Sequence, residues 1–178
     1  MTEDGICGVI TCMIALSSRG LRCAVVFSAT LLLASCDVFG LSLGDRGRRA
    51  DFERQRAKWE RQGISSYRLI YRQDCFCGTE FTVATEIEVR GGSIVGAHYA
   101  ASNDPIPSYV QSRLPTIESL FDIIADAIER EVDLLDVSYD PDRGFPRKIA
   151  IDYRFNTADD EVTHSVLGFE IVLPPIVP

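Results

Sequence analysis

The chain has 178 residues, of which 46% are hydrophobic and 25% are charged, and its net charge is −8. This composition is typical of a folded protein with an apolar core. The acidic balance argues against nucleic acid and anionic lipid surfaces as partners, because both attract clusters of Lys and Arg. We therefore expect no nucleic-acid partner.

The N-terminal segment has the three parts of an export signal. Arg19 and Arg22 form a positive region, a short apolar run follows from Ala24 to Leu33, and Ala34-Ser35 supplies small residues beside a cleavage point. A membrane-spanning helix needs about 20 apolar residues, so this run is too short to span. The sequence predicts a signal peptide over residues 1–35, and a buried core helix is the alternative.

Cys36 completes the pattern Leu33-Ala34-Ser35-Cys36. This segment resembles the lipobox of bacterial lipoprotein precursors, which implies a diacylglyceryl thioether on Cys36 as the mature N-terminus. Asp37 is similar to the signal that holds some Gram-negative lipoproteins in the inner membrane. Lipidation predicts a domain tethered to a membrane of the cell envelope, on its extracytoplasmic side. Met13 is an alternative start, because the segment from Met13 to Cys36 contains no acidic residue.

Removal of the signal and lipidation of Cys36 leave Cys75 and Cys77 as the free cysteine pair. In an oxidising compartment two thiols usually form a disulfide. Residues two apart on an extended strand lie about 6.6 Å apart, near the upper limit for a disulfide, so we expect a bend at Gly78. The alternatives are partly buried thiols, a redox pair or a metal site, although C-x-C is weaker than the paired C-x-x-C of zinc sites.

Residues 36–49 are rich in Gly and Arg and are predicted to form a flexible tether. A helix is predicted over residues 50–62, with Phe52 and Trp59 on one face and Gly63 at its end. We expect Trp59 to anchor this helix on a sheet. Ligand binding by the single tryptophan is the alternative.

Alternating apolar and polar residues predict three strands after this helix, at 66–75, 81–90 and 93–100. Gly91-Gly92 is a hairpin signal between the second and third strands. The proline-rich segment 101–115 is predicted to be an irregular loop.

Thr116 is expected to cap the clearest helix in the sequence, in which an apolar stripe opposes an acidic face. The stripe consists of Ile117, Leu120, Phe121, Ile124 and Ile128. Three further strands are predicted at 132–139, 147–155 and 162–173. The order of one helix and three strands thus occurs twice. We predict a single α+β domain over residues 50–178, an antiparallel sheet of about six strands with two main helices packed on it.

A catalytic signature is not recognisable. His98 and His164 are the two histidines, and neither lies in a nucleophile motif such as G-x-S-x-G. If the strands that contain them were adjacent, both histidines could bind zinc together with Cys75 and Cys77. We predict no catalytic residue, metal or cofactor, and a hydrolase that uses either histidine is the least favoured hypothesis.

Two acidic segments invite a calcium interpretation. Asp140, Asp142 and Gly144 resemble the opening of a calcium loop, but Ile151 stands at the twelfth position, where an EF-hand has glutamate. A plain turn is expected there. Asp159-Asp160-Glu161 is predicted to be a solvated loop, and a site for a cation or a basic partner is the alternative.

Several short pieces occur in a characteristic order between Asp51 and Leu173. They are Trp59, Ser66-Tyr67, Cys75-Phe76-Cys77, Thr116–Phe121, Tyr139-Asp140-Pro141, Gly144-Phe145-Pro146, Ile151-Asp152 and Asp159-Asp160-Glu161. This region resembles a family of uncharacterised bacterial lipoproteins and secreted proteins, the domain-of-unknown-function family 6174. The resemblance implies one domain and an envelope location, and it supplies no activity, cofactor or catalytic residue.

The hypothesis that follows is a membrane-anchored envelope lipoprotein whose domain is a non-enzymatic binding or structural module. Its expected partners are the membrane, through the lipid on Cys36, and another envelope protein. The alternative is a thiol-redox or metal-binding protein centred on Cys75 and Cys77.

Overall fold

The structure, a computed structural model, describes residues 39–157 and 159–173. The predicted signal peptide at 1–35 and the predicted lipidation site Cys36 lie outside these residues. From Asp45 onward the chain forms one compact unit. Within the described residues, the helices lack the combination of length and apolar character that crossing a membrane requires.

The described helices and strands follow one another in the order that the sequence patterns predict, with two additional short helices. They are α1 (Phe39–Glu60), β1 (Tyr67–Cys75), α2 (Thr79–Thr82), β2 (Thr85–Arg90), β3 (Ser93–Tyr99), α3 (Ser108–Gln111), α4 (Ile117–Glu129), β4 (Leu134–Tyr139), β5 (Pro146–Asp152) and β6 (Glu161–Ile171). The α+β class is confirmed.

The six strands form one open antiparallel sheet in the order β3-β2-β1-β6-β5-β4. Each set of three strands is a meander, and β1 joins β6 at the centre, from Tyr67 opposite Ile171 to Cys75 opposite Val162. Gly91 and Gly92 both have positive φ, at 56° and 78°, as a tight hairpin between β2 and β3 requires.

One face of the sheet is apolar and the other is charged. Tyr67, Leu69 and Tyr71 of β1 are buried in a cluster that also contains buried residues of α1 and α4. On the opposite face, Arg68 forms salt bridges with Glu86 at 3.0 Å and Glu170 at 3.3 Å. This division is common for an antiparallel sheet with one solvated face.

The first helix begins at Phe39 rather than at residue 50, so residues 39–49 of the predicted tether are helical. Extending an existing helix adds one hydrogen bond per residue and needs no new nucleus, and arginine is a good helix former. Side chains 46–50 are exposed. Helix propagation from the packed part around Phe52 and Trp59 is consistent with this extension.

The second predicted strand begins too early, because residues 79–82 form α2 and β2 starts only at Thr85. The prediction used the alternation of Phe81 with Val83. Phe81 instead packs edge-on against Tyr109 of α3, with the Arg113 guanidinium 5.1 Å from its ring centre. This contact between Phe81 and the predicted loop 101–115 joins residues distant in sequence, so local periodicity does not reveal it.

The fifth strand ends at Asp152 rather than at Phe155. The Asp152 carboxylate accepts a hydrogen bond from the backbone N–H of Arg154 at 3.0 Å, and such a local bond competes with strand pairing. Phe155 is 66% exposed, although it continues the alternation of β5. The alternation of apolar and polar residues therefore continues beyond the residues of β5 that pair with neighbouring strands.

The turn predicted at Asp140 is confirmed. Its carboxylate accepts the backbone N–H groups of Asp142, at 3.1 Å, and Arg143, at 2.8 Å. The Gln62 side chain at the end of α1 donates to the Arg143 carbonyl oxygen at 2.7 Å. The Asp140 carboxylate thus stabilises a turn that docks on α1.

Gly144 is expected to be essential for this docking. Its φ is 83°, and a Cβ there would lie 2.8 Å from the Gln55 carbonyl oxygen of α1. Gly144→Ala should therefore lower the free energy of unfolding by at least about 2 kcal/mol, measured by urea denaturation. Gly63→Ala is the matched control, because Gly63 has a φ of 61° and an added methyl group would meet no described tertiary neighbour within 4 Å. The control should cost about 1 kcal/mol, and equal losses would contradict the role of the close approach.

Candidate functional site at the end of β1

The C-terminal end of β1 leads into a turn formed by Cys75, Phe76 and Cys77, which we call the cysteine turn. Cys75 is the last residue of the strand and shares a side with Tyr71 and Gln73, because residues two apart point the same way. The sulfur atoms of Cys75 and Cys77 lie at disulfide distance, and their Cα atoms are 5.3 Å apart. The structure therefore brings together the pair that the sequence singled out.

The bend that shortens this distance is centred on Phe76 and not on Gly78. The backbone N–H of Cys77 donates to the carbonyl oxygen of Cys75 at 2.9 Å, which closes a three-residue turn. Phe76, at the apex, is 80% exposed, and Cys77 is also exposed. Cys75 is half-buried. The cysteine turn thus presents one sulfur and one aromatic ring to solvent.

A chain of side-chain hydrogen bonds leads from the core to Cys75. The Gln73 Nε2 donates to Cys75 Sγ at 3.3 Å, and the Tyr71 hydroxyl donates to Gln73 Oε1 at 3.2 Å. The same hydroxyl lies 2.7 Å from His164 Nδ1. His164 is paired with Gln73 across β1 and β6. The polar chain therefore joins two central strands to the cysteine turn.

The donors and acceptors of this chain fit together in one direction. The Tyr71 hydroxyl has a single proton. When it donates that proton to Gln73, it must accept a hydrogen bond from His164, which requires the neutral tautomer with its hydrogen on Nδ1. The Gln73 amide oxygen is then engaged, and its NH₂ group points at Cys75. This arrangement determines the tautomer of His164 and the orientation of the Gln73 amide.

Burial keeps the His164 imidazole and the Tyr71 hydroxyl uncharged near neutral pH. His164 is only 9% exposed, and burial lowers the pKa of its imidazole to about 4. Burial, with a smaller contribution from Asp74, raises the pKa of the Tyr71 hydroxyl. The hydroxyl therefore remains a proton donor, and the imidazole remains neutral.

His98 lies far from this chain, so a zinc site formed by both histidines and both cysteines is wrong. β2 and β1 separate β3 from β6, which places the strands of the two histidines about 14 Å apart. His98 lies on the charged face, where its Nε2 is 3.8 Å from Glu86 Oε2. Across residues 39–157 and 159–173, His, Cys, Asp and Glu side chains form no group of three or more placed to hold a metal.

Asp159 and Glu161 of the acidic loop before β6 are exposed, as expected for a solvated loop, whereas Asp160 is half-buried. Burial raises the pKa of the Asp152 carboxyl, and the negative charges of Asp160, Glu161 and Asp133 raise it further. One carboxylate oxygen of Asp160 is buried without a hydrogen-bond partner among the described residues. Negative charge is therefore concentrated around the end of β5 and the loop that follows it.

Trp59 is a core anchor, as predicted. It is 3% exposed and contacts Tyr67, Phe145 and Phe169 edge-on, with ring centres 5.7 to 5.9 Å apart. Its indole N–H donates to Glu118 Oε1 at 3.0 Å. These contacts tie α1 to the sheet and to α4, which supports a structural role for the single tryptophan.

Glu118 belongs to the acidic face of α4, yet its carboxylate makes contacts with the core that the sequence pattern did not predict. Its carboxylate also accepts from the Tyr67 hydroxyl at 2.8 Å, and that hydroxyl accepts the backbone N–H of Ile117 at 2.9 Å. The available signal was a carboxylate in the first turn of a helix, where the helix dipole favours negative charge. For Gln73 the signal was its position two residues before Cys75 on the same side of β1.

Comparison with known proteins identifies the sequence family alone. Residues 51–171 match a family described as a family of unknown function, DUF6174. No curated protein and no solved structure matches the chain. The matched range includes both the Trp59 cluster and the cysteine turn.

Proposed function

Because the chain belongs to DUF6174, a family of unknown function, we propose its role from its own residues: it is a lipid-anchored protein of the bacterial cell envelope. Its folded domain acts outside the cytoplasm as a binding module and not as an enzyme. The partner is another envelope protein, and the lipid on Cys36 supplies the membrane attachment.

The distribution of the six cysteines supports this location best. Cys7, Cys12 and Cys23 lie in the predicted export signal, and Cys36 is the predicted lipidation site. The remaining two are at disulfide distance. Disulfides persist in oxidising compartments and are rare in the cytosol. Export followed by lipidation therefore accounts for Cys36 and for an oxidised Cys75–Cys77 pair.

The cysteine turn also supports binding. A disulfide between the two residues that flank Phe76 limits the positions of its exposed ring. Preorganised aromatic side chains are effective anchors in protein interfaces. His164 is engaged by Tyr71 in the core, and His98 lies beside Glu86 on the other face of the sheet. These positions favour a recognition surface over a histidine-dependent active site.

Intact mass of the mature protein from its membrane tests the location. We expect a lipid-modified chain that begins at Cys36, with Cys75 and Cys77 alkylated only after reduction. Cys36→Ser is the control and should be recovered without lipid. An unmodified Cys36 in the unaltered protein would refute the anchor, and free thiols at Cys75 and Cys77 would refute the disulfide.

Crosslinking in intact envelopes tests the binding role. We expect a specific crosslinked partner that is lost in Phe76→Ala and retained in Phe155→Ala. Phe155 is the matched control, because it is also a strongly exposed phenylalanine, 66% against 80%. Recovery of the bait alone, or equal loss in both variants, would count against recognition by the cysteine turn.

A further inference from the structure

The Cys75–Cys77 crosslink is poorly explained as a structural staple. A disulfide stabilises a fold mainly by restricting the unfolded chain, and this effect grows with the length of the closed loop. Here the joined residues are only two positions apart. Cys75 is also held in place already, because it pairs with Val162 at the end of a central strand. The crosslink therefore adds little to the stability of the fold, although it restrains Phe76 locally.

The two sulfur atoms have different surroundings. Cys77 is exposed beside the exposed Phe76, whereas Cys75 is half-buried and accepts a hydrogen bond from Gln73. A thiol that approaches from solvent reaches Cys77 first. A donor to sulfur stabilises a thiolate relative to a thiol, so the hydrogen bond from Gln73 favours Cys75 as the leaving sulfur. The asymmetry therefore gives each cysteine a separate role in disulfide exchange.

We propose that the Cys75–Cys77 disulfide exchanges with a cysteine thiol of the partner polypeptide, with Cys77 as the attacked sulfur and Cys75 as the leaving sulfur. The inference rests on the proposed function in one respect, namely that the partner is an envelope protein. Phe76 would contact apolar residues beside the partner cysteine. The reaction at sulfur depends only on the folded domain.

A single exchange is balanced without a further oxidant, and it consumes the disulfide of the domain stoichiometrically, so it is not a catalytic turnover. The partner thiolate forms a bond to Cys77 Sγ, the Cys75–Cys77 bond breaks, and Cys75 leaves as a thiolate that accepts the Gln73 N–H. A second partner thiol, deprotonated by solvent, then attacks the partner sulfur of the mixed disulfide and releases Cys77 as a thiolate. The two partner thiols are oxidised to a disulfide, and the Cys75–Cys77 pair is reduced by two electrons.

Gln73 acts as a positioning residue in this scheme. Its amide is oriented by the Tyr71 hydroxyl, which is itself engaged by His164. If the amide were reversed, its oxygen would face the developing thiolate, and the two acceptors would repel each other. The buried end of the hydrogen-bond chain thus keeps a donor directed at Cys75.

The test uses the full chain in its oxidised form and a synthetic peptide with one cysteine between two leucines. After brief reaction, excess N-ethylmaleimide alkylates the released thiol, and fragment mass spectrometry identifies which sulfur carries peptide and which carries maleimide. We expect peptide on Cys77 and maleimide on Cys75. A peptide adduct mainly on Cys75, an equal distribution or no adduct would overturn the proposal.

Gln73→Leu should slow opening of the disulfide about tenfold and reduce the preference for Cys77, because a hydrogen bond to a charged group is lost. Tyr71→Phe should have a smaller effect in the same direction, and it provides a second variant if Gln73→Leu folds poorly. Gln111→Leu, at an exposed position of α3, should leave both values unchanged. Unchanged rate and preference in Gln73→Leu would refute the positioning role.

The outcome is separable from that of the proposed function. Cys36→Ser, which lacks the lipid, should react with the peptide at the same rate and the same sulfur as the unaltered chain. Failure of exchange would leave the anchor and the location intact. An unlipidated Cys36 in the native protein would refute the location and leave the chemistry of the cysteine turn intact.

Discussion

Trp59→Ala is expected to lower the free energy of unfolding by about 4 kcal/mol, within the range found for removal of large buried aromatic side chains. The indole fills the space between α1 and the sheet, with three aromatic rings packed around it. Its removal also leaves Glu118 with one hydrogen-bond donor fewer. Urea denaturation followed by circular dichroism measures the loss, because the variant has no tryptophan fluorescence.

Trp59→Phe separates packing from hydrogen bonding. The phenyl ring retains part of the aromatic contact but cannot donate to Glu118, so a loss of about 2 kcal/mol is expected. Phe155→Ala, which removes an exposed ring, should change stability by less than about 0.5 kcal/mol. A Trp59→Ala variant as stable as Phe155→Ala would contradict the central position of the indole in the core.

The parts of the fold that the sequence predicted are those with a strong local cause. The stripe of α4 and the Thr116 cap predict a helix that the structure contains, and the Thr116 hydroxyl accepts the N–H of Ser119 at 3.2 Å. The alternation in β1 and the Gly91-Gly92 pair likewise specify local geometry. Each signal reports a backbone preference or an apolar face, and both can be recognised without knowledge of distant residues.

The parts that could not be predicted depend on contacts between distant residues. The sequence contains no local feature that pairs β1 with β6, since they are the first and last strands in chain order. The pairing of Glu118 with Trp59 and Tyr67 joins residues more than 50 positions apart. The chain from His164 to Cys75 crosses the same long-range strand pair. The candidate cysteines could therefore be predicted, whereas the side chains that differentiate them could not.

The position of β1 connects the core to the candidate site. At one end, Tyr67 binds Glu118 and the start of α4, and at the other end Cys75 begins the cysteine turn. β1 pairs with β2 from Tyr67 to Tyr71 and with β6 as far as Cys75. A central strand has few ways to move without breaking its neighbours' hydrogen bonds. The cysteine turn is therefore presented from the end of a central strand that β6 holds up to its last residue.

Acidification should destabilise the domain through His164. Burial lowers the pKa of this imidazole from 6.5 to about 4 in the folded protein, so between these values the unfolded chain binds a proton that the folded chain excludes. Stability from this residue is therefore full above pH 6.5 and falls as the pH decreases. The expected loss is about 2 kcal/mol at pH 5 and about 3 kcal/mol at pH 4.

His164→Phe isolates this contribution, because phenylalanine cannot titrate. Urea denaturation of both proteins from pH 7 to pH 4 gives the difference in unfolding free energy, in which shared carboxyl titrations cancel. Asp152, whose pKa is raised by burial and by nearby carboxylates, is one such shared group. The free energy of unfolding of His164→Phe should rise relative to that of the unaltered protein as the pH falls. A difference independent of pH would mean that His164 accepts a proton in the folded state as readily as in the unfolded chain, and that the buried end of the hydrogen-bond chain is open to water.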